Sequence, residues 1–386
     1  MCFPTDRQST LHTKSQEVPI FKKAVFPGKY IQGVDAISEL PLLKDLLGKQ
    51  GLIFASPSAS CKVLPGCGID WAGLSIPLEV FRGECCENEV SRLSSAIARE
   101  HVDVLIGMGG GKTIDTAKIA ADRAGIPVIV VPTIASTDAP CSGCAVLYTS
   151  DGVFESVLYQ KTNPAVVLVD STVIAAAPTR FLVAGMGDAL STWFEARSCE
   201  RTQSVNECGG QGTAAAFAIA RLCYETLLNH GVAAKLANER HTVTPALERI
   251  IEANTLLSGI GFESAGLAAA HSVHNGLTEL AETHAFYHGE KVAFGVLTGL
   301  HLANASPDEF ATVYSFCEQI DLPTTLADIG LGNADRGHLM KAAEKACAPD
   351  APIHHEVAEM SPAKILDAML AADALGQERK CHQANH

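Results

Sequence analysis

Asp188 lies within GMGDALSTWFEA, His271 within AAAHSVHNGL and His288 within FYHGEKVAFG. One carboxylate and two imidazoles suit a divalent cation, and three protein ligands leave coordination positions open for a substrate. Closed structural zinc sites use four protein ligands, so this set points to catalysis. Each residue alone says little, because most of a chain's histidines are packed or exposed for other reasons and this one has 14. His274 is one helical turn from His271 and faces the same side, either as an outer partner of a ligand or as a substrate contact.

A second cluster is GGGK, Gly109–Lys112, between the apolar run VDVLIGM and the helical pattern TIDTAKIAADRAG. Consecutive glycines at a strand-to-helix turn let the backbone approach a pyrophosphate, while the helix start supplies N–H donors and a positive dipole. Gly109, Gly110 and Gly111 therefore form a dinucleotide-type turn. It is neither a P-loop, which needs Gly where Ile106 stands, nor a Rossmann GxGxxG from Gly107, which needs Gly where Lys112 stands.

The elements that must position these clusters follow from hydrophobic periodicity. Strand patterns at 51–56, 75–81, 102–108, 127–133 and 165–170 alternate with helical patterns at 88–100 and 113–125, which predicts a parallel sheet with crossover helices. Beyond Pro178 the pattern turns helical, at 179–199, 244–258, 263–281, 289–303, 307–320, 335–347 and 361–376. The expected organisation is a disordered extension over 1–18, a nucleotide-binding α/β domain over 19–178 and an all-α metal-binding domain over 179–386. The last residues, ERKCHQANH, read as a polar tail.

Composition excludes several classes. The chain has 386 residues, is 47% hydrophobic, and carries 29 Lys+Arg against 43 Asp+Glu, a net charge of −14. That charge repels nucleic acid and anionic membranes, and no apolar run reaches the ~20 residues of a membrane helix. The N-terminus lacks a secretory core. Thirteen cysteines, an odd number, fit a reduced cytoplasmic protein better than a disulfide scaffold. Cys141 and Cys144 form a CxxC without the second pair or histidines of a zinc site.

The segments GMGGGKTIDTAK, VPTIASTDAPCS, GMGDALSTWFEARS, TPALERIIEANTLLSGIGFES, LAAAHSVHNGL and YHGEKVAFGVL together resemble the iron-containing, metal-dependent alcohol dehydrogenases, over about residues 25–376. Within that family they are most similar to the glycerol dehydrogenases. The resemblance implies an active site in the cleft between the two domains and a homo-oligomer, with the octamer common in that group. It implies Asp188, His271 and His288 as metal ligands, and Gly111, Lys112 and Asp115 at the nucleotide turn. Thr133, Ser136, Ser142, Cys144 and Tyr148 fall on the nicotinamide side, with Cys144 standing where the family usually has Leu. Asp138 matches the position that touches substrate hydroxyls. Ser56 stands where NAD-using relatives carry an Asp for the adenosine ribose; without that carboxylate NADP is not repelled, and Lys62 is nearby, although NAD is the expected cofactor.

The implied reaction oxidises glycerol to dihydroxyacetone, with zinc as the expected metal and iron(II) as the alternative. A divalent metal lowers the pKa of an alcohol bound to it, and the alkoxide gives up hydride to the nicotinamide. Asp138, holding neighbouring hydroxyls and relaying the proton, would favour a polyol. Rival readings are a polyol-phosphate dehydrogenase or a dehydroquinate synthase-like lyase of the same fold, which need a cationic cluster where only Lys291 is near, and a nucleotide-binding protein without turnover, which would have lost a metal ligand.

Overall fold

A computed structural model describes residues 21–384 apart from Ala72 and Ser75. The extension expected over 1–18 lies outside the described residues. Six parallel strands form the main sheet in the order β1-β8-β5-β4-β2-β3, with β1 Tyr30–Gly33, β2 Gly51–Ala55, β3 Leu78–Val80, β4 Val104–Gly109, β5 Val128–Pro132 and β8 Val166–Asp170. The hairpin β6 Cys144–Tyr148 and β7 Phe154–Tyr159 forms a separate antiparallel ribbon. After β8 the described chain is helical, so the fold is a parallel α/β domain followed by an α-helical one.

The central strands are buried on both faces, which is why they read as continuous apolar runs. Alternation within them assigns each side chain a face. Leu52, Phe54, Leu105 and Val130 pack with Leu93 of helix Glu87–Arg99 and Ile114 of helix Gly111–Ala124. Ile53, Ile106, Ile129 and Leu168 pack on the other side with Ile37, Leu40 and Leu43.

Several elements escape the periodicity. Helix Ala214–Glu239 has alanines on several faces, which blurs the 3.6-residue period, although Thr213 caps it by accepting from the Ala216 N–H. The β6–β7 hairpin turns through Asp151-Gly152, with Gly152 at φ 83°. The expected helix over 263–281 is broken: Ser258–Ala265 stops at Gly266, φ 111°, and a new helix runs over Ala269–Leu277. The described part of the expected polar tail, up to Ala384, is the end of helix Pro362–Ala384.

Helix Thr179–Thr202 is buried along most of its length and forms the axis of the helical half. Helix His288–Leu302 approaches it closely at Gly289, where a Cβ would come within 1.8 Å of the Ala184 carbonyl oxygen. That contact brings His288 to Asp188. Among the described residues no helix is long and apolar enough to cross a membrane.

Candidate metal centre and its neighbours

Three helices each supply one ligand: Asp188 from Thr179–Thr202, His271 from Ala269–Leu277 and His288 from His288–Leu302. Their ligand atoms all lie within 4.8 Å of one another, making a His2Asp metal-binding site. Asp188 Oδ1 is 3.1 Å from His288 Nε2 and 3.6 Å from His271 Nε2. That oxygen is buried and is left without a hydrogen-bond donor. A buried acceptor left facing two imidazole nitrogens fits a shared divalent cation. Burial disfavours the Asp188 charge, but His288 and His271 outweigh it and hold the carboxyl well below the usual range.

Each histidine is backed through its other nitrogen. His271 Nδ1 is 2.6 Å from Glu195 Oε2, and His288 Nδ1 is 3.0 Å from His274 Nε2. His274 Nδ1 in turn lies 3.0 Å from Asn275 Oδ1. Of the two roles open to His274, this geometry favours outer partner of His288, since its Nε2 already faces that ring. Burial, then the His288 and Lys291 charges, push its pKa far down and keep it neutral.

Asp138, in the loop after β5, joins the sheet half to this centre. Its N–H donates to Asp188 Oδ2 at 3.3 Å, and its own Oδ2 accepts from Ser258 Oγ at 2.9 Å. Burial, then the Asp188 charge, raise the Asp138 pKa. Ser258 follows a π-helical segment, Ala253–Leu257, whose Asn254 side chain donates to Ala135 O and Leu182 O and so ties the loop to the central helix.

The glycine turn sits at the carboxyl end of β4. Gly110 precedes helix Gly111–Ala124, and the Thr133 N–H, at the end of the adjacent β5, donates to Gly109 O at 3.0 Å. On the other side, the Ser56 N–H donates to Met108 O at 2.9 Å, so Ser56 at the end of β2 flanks the same turn. Its hydroxyl accepts from the Ala59 N–H and meets Ser58 Oγ at 3.2 Å. Lys112 is half-exposed, pairs with Glu84 at 2.6 Å and lies 4.8 Å from the centroid of the Tyr148 ring. Ser136 is half-buried in the loop between Thr133 and Asp138.

Asp115, Ser142 and Cys144 are drawn together differently. Asp115 is buried, accepts from the Val146 N–H at 3.1 Å and pairs with Lys118 at 3.2 Å. Lys118 Nζ donates to Ala139 O at 2.9 Å, to Ser142 O at 3.3 Å and to Cys144 O. One buried ammonium thus closes the 139–144 loop against helix Gly111–Ala124. Ser142 Oγ accepts from Cys144 Sγ at 3.5 Å. Cys141 and Cys144 are both free, and burial pushes the Cys144 thiol up to about 12, which suppresses the thiolate.

A profile described as iron-containing alcohol dehydrogenase matches residues 27–171. A glycerol dehydrogenase of Thermotoga maritima is 50% identical over 92% of this chain and 98% of its own. The chain belongs to the iron-containing alcohol dehydrogenase family. Two solved structures of the family agree in fold. A probable glycerol dehydrogenase from Sinorhizobium meliloti has a TM-score of 0.88 at 45% identity, covering 93% of this chain and 100% of that one. The glycerol dehydrogenase of Schizosaccharomyces pombe has a TM-score of 0.90 at 35% identity, covering 95% and 94%. This chain is therefore a metal-site oxidoreductase of the glycerol dehydrogenase-like group.

Sequence reasoning passes over three residues of this family member's site. Glu195 lies seven positions after Asp188 on one helix, so the two carboxylates share a face. Lys118 is three residues after Asp115 in GKTIDTAK, an i, i+3 pair that can be read as ionic. Ser258 gives no local signal.

Proposed function

We propose that this enzyme oxidises glycerol to dihydroxyacetone with NAD, with NADP as the alternative cofactor, and that zinc, with iron(II) as the alternative, occupies the Asp188, His271 and His288 site. The observation that carries this reading is Asp138: its carboxylate is buried on the loop beside the glycine turn, and its backbone N–H donates to the Asp188 ligand. This supports a role for Asp138 in holding substrate hydroxyls between the proposed nucleotide and metal sides. The cation, when bound, would acidify a substrate hydroxyl, and the nicotinamide would take up the hydride.

The chain's own residues account for the rest. Gly109–Gly111 open the backbone to the pyrophosphate, and the start of helix Gly111–Ala124 offers N–H donors and Lys112 a cation. Ser258 and the Asp188 contact orient Asp138, so that its carboxyl can hold a vicinal hydroxyl and take part in proton removal. An uncharged polyol suits this site better than a phosphorylated one, since the lysine near the histidine motifs, Lys291, is buried and single. The test is a matrix of glycerol, 1,2-propanediol, butanediol and glycerol phosphate against NAD and NADP, followed by absorbance of the reduced nicotinamide. Glycerol with NAD should give the highest kcat/KM; a preference for the phosphate ester would overturn the assignment.

A further inference from the structure

The two metal-facing histidines are backed by different chemistry. Behind His288 stands the neutral pair His274 and Asn275. Behind His271 stands Glu195, 1% exposed, whose ion-pair partner among the described residues is His271 itself. Its two oxygens divide the work. Oε1 accepts the N–H groups of Ala268 and His271, both at 2.9 Å, at the start of helix Ala269–Leu277 that the break at Gly266 creates. Oε2 faces His271 Nδ1 alone at 2.6 Å.

We propose that Glu195 is a positioning residue for the metal: it fixes His271 as the Nδ1–H tautomer, aims the Nε2 lone pair at the cation, and with Asp188 balances the charge of a dication. An ionised carboxylate only accepts hydrogen bonds, so the ring nitrogen facing it carries the proton and the opposite nitrogen is left as a donor to metal. Partners of this kind orient ligating histidines and raise their basicity. The charge count agrees: Asp188 and Glu195 are both buried carboxylates, and their two charges match those of a dication held by neutral His271 and His288.

Glu195 also caps a helix, so the test must separate the two roles. Glu195→Gln retains a carbonyl oxygen to accept both backbone N–H groups but turns its NH2 toward Nδ1. A donor facing that nitrogen calls for a lone pair there and moves the ring proton to Nε2, where it blocks the cation. Glu195→Ala loses the cap but leaves the ring free to choose, and Glu195→Asp keeps an acceptor-only head. Zn(II) affinity, measured by competition with a chromophoric chelator, should therefore fall in the order wild type, Asp, Ala, Gln, with the Gln variant weaker than wild type by at least the ~10–100-fold typical of such partners. NADH binding, followed by fluorescence, should stay within twofold, and the visible spectrum of the Co(II)-loaded Gln variant should differ from that of wild type. A Gln variant that binds zinc as wild type does, or better than Ala, would assign Glu195 to helix capping alone. The inference rests on the metal reading of the site, and that reading fails separately if wild type takes up no zinc in the same titration.

Discussion

The glycine turn and the metal centre are built in opposite ways. Four consecutive residues, Gly109–Lys112, make the turn at the surface end of a strand, and Lys112 keeps 46% of its side chain exposed. The metal centre draws Asp188, His271 and His288 from three helices, and the Asp188 carboxylate is 1% exposed. One site is local and contiguous; the other is assembled, buried and electrostatically demanding. Substitutions of the metal-facing ligands should therefore cost most of the chemistry, whereas those around the turn should grade dinucleotide affinity, because screened contacts are worth far less than buried ones.

Asp188→Asn should give the largest effect. Removing the ligand charge should lower kcat by more than the ~10–100-fold that an outer partner costs, and leave NADH binding intact. Kinetics together with a fluorescence titration would show it, and a variant keeping a tenth or more of the wild-type rate would take Asp188 out of the ligand set. Next comes Asp138, which touches both halves. Asp138→Asn should cut kcat/KM for glycerol on the order of 10²-fold and that for 1-propanol much less. Equal losses would assign the carboxylate to a shared proton path, and no loss would put it outside the reaction. The smallest effect belongs to the turn. Ser56→Asp should weaken NADP by about tenfold through repulsion of the 2′-phosphate, while sparing NAD. Equal changes for both would show that Ser56 does not meet the ribose.

The same contrast decides which features are legible in the amino-acid sequence. The turn is legible because its residues are contiguous and flanked by strong strand and helix patterns. Buried strands β2, β4, β5 and β8 are legible as apolar runs, and the three ligands because their motifs are long. What escapes is set by tertiary contact. Nothing local marks Glu195 as the partner of a histidine 76 positions away. The break at Gly266 depends on a positive φ, and a lone glycine within a helical pattern does not announce one. Lys118 looks like one more helix-surface lysine, yet it is 1% exposed and holds three carbonyl oxygens of a loop that follows the next strand.

The central claim is that the dinucleotide side is complete without a metal, while the chemistry is not. The direct measurement is NADH binding and glycerol oxidation by one preparation stripped with a chelator, checked by elemental analysis, and then titrated with Zn(II). NADH binding should persist throughout, and glycerol oxidation should vanish and return in proportion to zinc, saturating at one ion per chain. Turnover of glycerol by protein verified to contain no metal would contradict the account.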